Sequence, residues 1–293
     1  MLNKYTEGSG VNTLKNIFFI IVILFSPHLV QAKTGVPPAI IIQPNKIGPG
    51  DIATVSVKNA AGPVTGTFNG IRLHFNPGKN TFKALLGIDL NTEPGTYPLE
   101  VMSNGKKLLK NIKIVKKKYP VQRLTLPEDM VVLSPENESR TERDQKKTAA
   151  IWSIDSERLW RGTFIDPLPG KEIGTPFGVR RIINKIPKNP HSGVDITADE
   201  GDPVLAPNDG VAVLVDDQFY SGHSVILDHG QGIYTMFFHL SKINVRYGQA
   251  VMKGEVIALV GSTGRATGAH LHWGVRMQGA KVDPLKLIKL KLE

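Results

Sequence analysis

From Gly162 onward, no stretch of helical length separates the apolar runs of the chain. Val204 to Ala206, Gly210 to Val215, Ser224 to Leu227, Tyr234 to His239, Val256 to Val260 and His270 to Val275 are short and divided by Gly-rich turns. Parallel neighbours in a sheet need crossovers of a dozen or more residues, usually helical. This half of the chain is therefore expected to form an antiparallel sheet.

The first half has the same rhythm. Candidate strands at Ala39 to Ile42, Ile52 to Val57, Ile71 to Phe75, Thr96 to Val101 and Asn111 to Val115 alternate with Gly48-Pro49-Gly50, Asn76-Pro77-Gly78 and Glu93-Pro94-Gly95. In these turns Pro fixes φ and Gly supplies φ > 0. Short strands at this spacing argue for a β-sandwich of immunoglobulin-like type. Glu136 to Trp160 changes character: helix formers dominate and apolar residues gather late, at Ile151, Trp152, Ile154, Leu159 and Trp160. That pattern predicts a linker helix with a polar first half that docks at its end. A linker hinged there would set access to the second half, so residues 161–293 alone are expected to be the more active form.

Ile17 to Phe25 is an unbroken apolar run, preceded by Lys4 and Lys15 and followed by Val30-Gln31-Ala32. This is the pattern of a secretory signal peptide, and the run is short of the ~20 residues that cross a bilayer. An uncleaved anchor is the alternative; both readings export the rest of the chain. The expected organisation is a mainly β protein: a signal peptide at 1–32, the sandwich at 33–123, a linker with helix at 124–160 and a second unit at 161–293.

The chain is 41% apolar and 21% charged, ordinary globular usage that argues against wholesale disorder or a fibrous repeat. It has no cysteine, which excludes disulfides and thiol nucleophiles and leaves His, Asp and Glu as metal ligands. The basicity is uneven. Residues 33–123 hold 14 Lys and Arg against 4 Asp and Glu, whereas residues 151–293 hold 16 against 15. The first module is thus the part suited to an anionic wall or membrane surface, with simple solubility as the other reading.

Six of the eight histidines follow residue 190, and four of these six fall in three conspicuous places. They are His191-Ser192-Gly193-Val194-Asp195; His239, after an aromatic strand; and His270-Leu271-His272, within a Gly-rich segment. As a strand, the last element puts His270, His272, Gly274 and Arg276 on one face and Leu271, Trp273, Val275 and Met277 on the other. Two imidazoles opposite a clean apolar stripe suit a metal centre. Catalytic zinc takes three protein ligands and leaves a position for water. His191, Asp195 and one histidine of the pair would supply them, with Gly193 allowing the tight backbone path.

His-x-x-x-Asp, a histidine before Leu240, and the closing Gly-x-x-x-Gly-x-His-Leu-His resemble the lysostaphin/LytM-type zinc metallopeptidases of bacterial envelopes. Phe177-Gly178-Val179-Arg180, Pro203 to Pro207, Asp228-His229-Gly230, Val251 to Gly254 and Val282-Asp283-Pro284 extend the resemblance over about 130 residues. It implies a twisted antiparallel sheet with a groove, Zn2+ held by His191, Asp195 and His272, and His239 and His270 as catalytic histidines that do not bind the metal. It also implies a peptidoglycan endopeptidase of the periplasm or cell envelope, with peptidoglycan and no nucleic acid as partner. Phe237 and Ala269 depart from the usual Tyr and Pro, the first removing a phenol that would face substrate. His229 is expected to be structural, and so is His74. A catalytically silent relative that binds the wall or activates an amidase would lack several of the five key positions; all five are filled here.

Overall fold

Eight strands open the structure: β1 (Ala39–Gln43), β2 (Ile52–Lys58), β3 (Val64–Phe68), β4 (Ile71–Leu73), β5 (Asn76–Pro77), β6 (Thr81–Gly87), β7 (Gly95–Ser103) and β8 (Lys106–Ile114). They form two four-stranded antiparallel sheets, ordered β1-β2-β6-β5 and β4-β3-β7-β8. The inward residues of both, among them Val55, Val57, Leu86, Phe68, Leu99, Val101 and Ile112, share one core. The computed structural model describes residues 36–60, 62–125 and 132–291. The expected signal segment at 1–32 lies outside them. Among the described residues no helix is long and apolar enough to cross a membrane.

β9 (Val121–Leu124) leads toward α1 (Pro135–Ile151). Ser134 caps this helix by accepting from the Asn137 N–H, with Pro135 in its first turn. The helix stops at Trp152, so Ile154, Leu159 and Trp160 lie beyond it. It also docks along its length rather than only at its end. Arg140 and Lys147 pair with Asp217 and Asp216 at 3.0 Å each. The Asp144 carboxylate accepts from the Phe219 N–H at 2.8 Å.

The second half contains β10 (Arg180–Ile183), β11 (Ile186–Pro187), β12 (Gly193–Thr197), β13 (Pro203–Leu205), β14 (Gly210–Gln218), β15 (Gly222–Asp228), β16 (Ile233–Ile243), β17 (Ala250–Val251), β18 (Val256–Val260), β19 (His270–Met277), β20 (Ala280–Val282) and α2 (Pro284–Leu287). Nine of these strands make one antiparallel sheet, ordered β12-β19-β16-β15-β14-β17, with β13, β18 and β20 attached through β16 and β19. A parallel pairing occurs outside it, where β9 joins β10 from the far side of the helix.

The two faces of this sheet have different work. Leu271, Trp273, Val275 and Met277 point to one side and are completely buried. They pack with Trp160, Phe164 and Leu168, and with Ile52, Leu85 and Leu90 of the sandwich. The opposite face carries Ile226, Tyr234 and Met236, which pack against Ile151 of α1 and against Trp152 at its C-terminal cap. That face continues past α1 to the histidines.

Candidate metal centre

β12 and β19 run antiparallel, with Asp195 directly opposite His272 and Thr197 opposite His270. On the other flank Phe238 of β16 lies opposite His272. This register places a carboxylate, an imidazole and a phenyl ring side by side on one face. His191 arrives just before β12. Its Nε2 lies 2.9 Å from Asp195 Oδ1 and 3.0 Å from His272 Nδ1, and His272 Nδ1 lies 2.9 Å from the same oxygen.

Three ligand atoms thus meet within 3.0 Å of one another. His191 Nδ1 sits 3.0 Å from the Pro176 carbonyl. Only an N–H can face a carbonyl there, so Nε2 of the neutral ring presents its lone pair to the triangle. Two lone pairs and a carboxylate oxygen this close repel unless a cation joins them. Bonds of about 2.0–2.2 Å from two imidazoles and a carboxylate are those of zinc. The donor set therefore fits that metal, and His191, Asp195 and His272 form the metal-suited group among the described residues.

The surroundings reinforce the set. Burial raises the Asp195 carboxyl pKa, but the adjoining His191 and His272 imidazoles outweigh it and hold the group well below the usual carboxylate range. Burial lowers the His272 pKa, against the pull of Asp195, so its ring stays neutral and able to bind metal. Arg181 brings a guanidinium 3.9 Å from the second oxygen, Oδ2. The Phe238 ring stacks on His272 with centroids 5.4 Å apart and planes 5° from parallel.

Gly193 serves differently from the expectation. It lies in β12, opposite Gly274. A Cβ there would fall 2.7 Å from Nε2 of His272 and 2.5 Å from the Trp273 carbonyl oxygen. The glycine therefore clears space for the ligand ring rather than permitting an unusual backbone path.

His239 and His270 stand beside the triangle with ring centroids 4.7 Å apart. His239 does not end its strand, which runs on to Ile243. Alternation puts Phe237 in the core, fully buried, and Phe238 in the groove, so His239 would turn inward. A bulge intervenes: β16 pairs Phe237 with Val225 but Leu240 with His223. At the bulge His239 adopts φ +64° and its ring turns to the site face. A tyrosine hydroxyl at position 237 would consequently lie in the core, so the expected loss of a phenol facing substrate does not apply.

Each of the two histidines anchors Nδ1 on a carbonyl. His239 reaches Thr263 and His270 reaches Gly268, both at 2.9 Å. That fixes Nδ1–H as donor and leaves Nε2 of each as an acceptor. Burial pushes the His239 pKa down to about 4, with His270 and His272 adding to it and the Thr263 carbonyl opposing it. Thr263 was not singled out in the sequence; its side chain also donates to Leu240 and accepts from the His223 N–H. The Gly261-Ser262-Thr263-Gly264 turn is the one sequence signal at this position. His229 lies elsewhere, fully buried, bonded to Asp209 O and Thr235 Oγ1 at 2.8 Å each.

Residues 189–284 match the profile of peptidase family M23. An uncharacterized metalloprotease of Haemophilus influenzae is 38% identical over 146 residues, covering 48% of this chain and 30% of that protein. The peptidoglycan DD-endopeptidase ShyA of Vibrio cholerae is 42% identical over 116 residues, covering 39% and 27%. The chain thus spans under a third of the length of these relatives. A Pseudomonas aeruginosa crystal structure, titled as a peptidase M23, is 33% identical over 83% of this chain and 95% of that one, with a TM-score of 0.69. Likeness over nearly the whole of that protein, sandwich included, and the profile match across the histidine cluster place this chain in peptidase family M23.

Proposed function

We propose that the protein is a zinc-dependent endopeptidase that cleaves peptide bonds of peptidoglycan in the cell envelope. The observation that carries this reading is the pairing of two sets: three converged metal-ligand atoms, and two further histidines whose Nδ1 atoms are committed elsewhere. The relative from Vibrio cholerae named as a peptidoglycan DD-endopeptidase supports the substrate class.

His191, Asp195 and His272 are assigned to the metal. Zinc bound by them supplies Lewis acidity toward a carbonyl and lowers the pKa of a water toward about 7. His239 and His270 are assigned to proton transfer. Each holds an Nε2 lone pair in the groove, so either ring can take a proton from the attacking water. The imidazolium so formed donates to the tetrahedral oxyanion or returns the proton to the leaving amine. No His-Glu-x-x-His helix supplies a glutamate base, which leaves this work to the two rings.

The test is digestion of purified peptidoglycan with the full chain, with and without chelator and with zinc restored. Release of soluble muropeptides that stops with chelator and returns with zinc is expected. Wall binding without release in any condition would instead favour a silent wall-binding protein.

A further inference from the structure

The face that bears the histidines does not end at Phe238. Beyond it lies a cavity of about 310 Å3 between α1 and the sheet, lined by Thr148, Trp152, Tyr220, Met236, Phe238 and Arg276. Its near wall is the ring that stacks on His272. Arg276 shares the His272 face of β19 four residues further on, about 14 Å along an antiparallel strand. The cavity is thus the continuation of the groove.

Its walls are mostly apolar, and Arg276 stands out among them. The guanidinium lies over the Trp152 ring, 4.3 Å from its centroid. Its Nε is buried and has no hydrogen-bond partner. No carboxylate among the described residues pairs with it, and Asp89 acts on it only at longer range. Arginine does not shed its proton in proteins, so burial leaves a fixed, incompletely solvated charge. Such a charge is costly unless an anion meets it. Asp144 also lines the cavity. It sits two turns up α1 from Trp152, about 12 Å away, and its carboxylate is held by the Phe219 N–H. The acid and the guanidinium therefore mark different parts of the cavity.

We propose that this cavity is a substrate subsite in which Arg276, braced on Trp152, binds a free carboxylate of the peptide being cleaved. The carboxylate belongs three to four extended residues from the scissile bond, the number that about 14 Å accommodates, or fewer where a long side chain bears it. The apolar walls hold the aliphatic part of the same residue. Planar guanidinium and carboxylate pair through parallel N–H bonds, so a carboxamide, which offers one acceptor oxygen and no charge, is a poor substitute. The enzyme accordingly prefers stem peptides with free carboxylates to amidated ones. The preference rests on the peptidoglycan reading, but the binding site can be tested apart from cleavage.

The experiment is titration of the full, metal-stripped chain, in which turnover is halted, with purified muropeptides carrying free or chemically amidated carboxylates. Calorimetry reports binding, and so does the change in tryptophan fluorescence that is absent from a Trp152→Phe variant. The free form is expected to bind roughly 10- to 100-fold more tightly than the amidated form, the value of a hydrogen bond to a charged group. Arg276→Gln should bind both forms equally weakly, and Arg276→Lys should recover part of the difference. Ala149→Trp, on the helix side of the cavity, should block the free form with Arg276 intact and guards against misfolding of the arginine variants. Equal binding of the two forms by wild type, no binding of either, or unchanged discrimination in Arg276→Gln would overturn the subsite. Failure of zinc-dependent muropeptide release would instead overturn the endopeptidase reading, while the titration still judged the carboxylate site.

Discussion

His270 and His272 stand two residues apart on one strand face yet engage different neighbours. Nδ1 of His272 is 2.9 Å from Asp195 Oδ1, whereas Nδ1 of His270 is turned to the Gly268 carbonyl. Their replacement should separate binding from chemistry. His191→Ala, Asp195→Ala and His272→Ala each remove a proposed metal ligand and should lose zinc, together with the stabilisation that metal bound to the native state contributes. His239→Ala and His270→Ala should keep zinc near full occupancy while activity falls about 10²–10⁴-fold, as for a lost acid–base group. Metal analysis and muropeptide release on the same preparations check both halves. A His270→Ala protein without zinc beside a His272→Ala protein that retains it would reverse the assignment. The residue types and the face of β19 were legible from alternation alone. The aim of His239 was not, because a bulge and a left-handed φ override the alternation that would bury it.

At the scale of elements, α1 is the part that sequence described least well. Its polar composition suggested a hinged linker, but acidic and basic residues along it meet Asp216, Asp217 and the Phe219 amide, and Ile151 and Trp152 complete an apolar cluster with Tyr234 and Met236. Charges that pair across elements look like solvent-facing charges when read in one dimension. Removing α1 uncovers apolar surface, so residues 161–293 alone should unfold at lower temperature and cleave no faster per folded molecule than the full chain. Ile151→Ala should cost about 2–5 kcal/mol in denaturant unfolding. A stable and faster fragment would restore the gating role of the helix. β12 likewise carries a weak strand signal, because its apolar alternation rests on Val194 and Ile196 alone, between Gly193 and Thr197. The turn at His229 carries a pH-dependent contribution. Burial lowers its pKa from 6.5 to about 4, with the Asp209 carbonyl opposing the shift. The unfolded chain therefore binds this proton below pH 6.5 and the folded chain only below about 4. The stabilisation is complete above pH 6.5 and is lost as pH falls toward 4, on the order of 3 kcal/mol. Urea unfolding of wild type and His229→Gln across this range should show a shallower slope in the variant; identical slopes would rule the histidine out as the source.

For the whole molecule, the question is what a strongly basic sandwich contributes to a nearly neutral peptidase half. The two are joined closely. The Leu90 N–H donates to Lys281 O at 3.1 Å, the Lys281 N–H to Asp89 Oδ2 at 2.8 Å, and the Asp283 N–H to Gly50 O at 2.9 Å. Asp51 accepts from Lys117 and Lys286 at 2.7 and 2.9 Å, and together these contacts hold its carboxyl below the usual range although burial raises it. Gly87 packs where a Cβ would meet Val282, Met277 and Ala280 at 3.0–3.2 Å. The sandwich is thus built onto the sheet that carries the candidate metal centre, so capture by one should deliver substrate to the other. Its edge strand β8 presents Lys106, Lys107 and Lys113 to solvent around Leu109, which is 67% exposed. Lys107 is paired with Glu100, whereas Lys106 and Lys113 make no ion pair among the described residues. If this edge gathers the enzyme onto an anionic wall, cleavage of intact sacculi should fall as salt shortens the screening length to about 8 Å near physiological ionic strength. Lys106→Glu with Lys113→Glu should lower sacculus binding and digestion at low salt and remove most of that salt dependence. Cleavage of small soluble muropeptides, which need no capture, should stay at the wild-type rate. Unchanged sacculus binding in the double variant would assign the basic edge to solubility, and an equal loss on soluble muropeptides would point to damage to the catalytic half instead of lost capture.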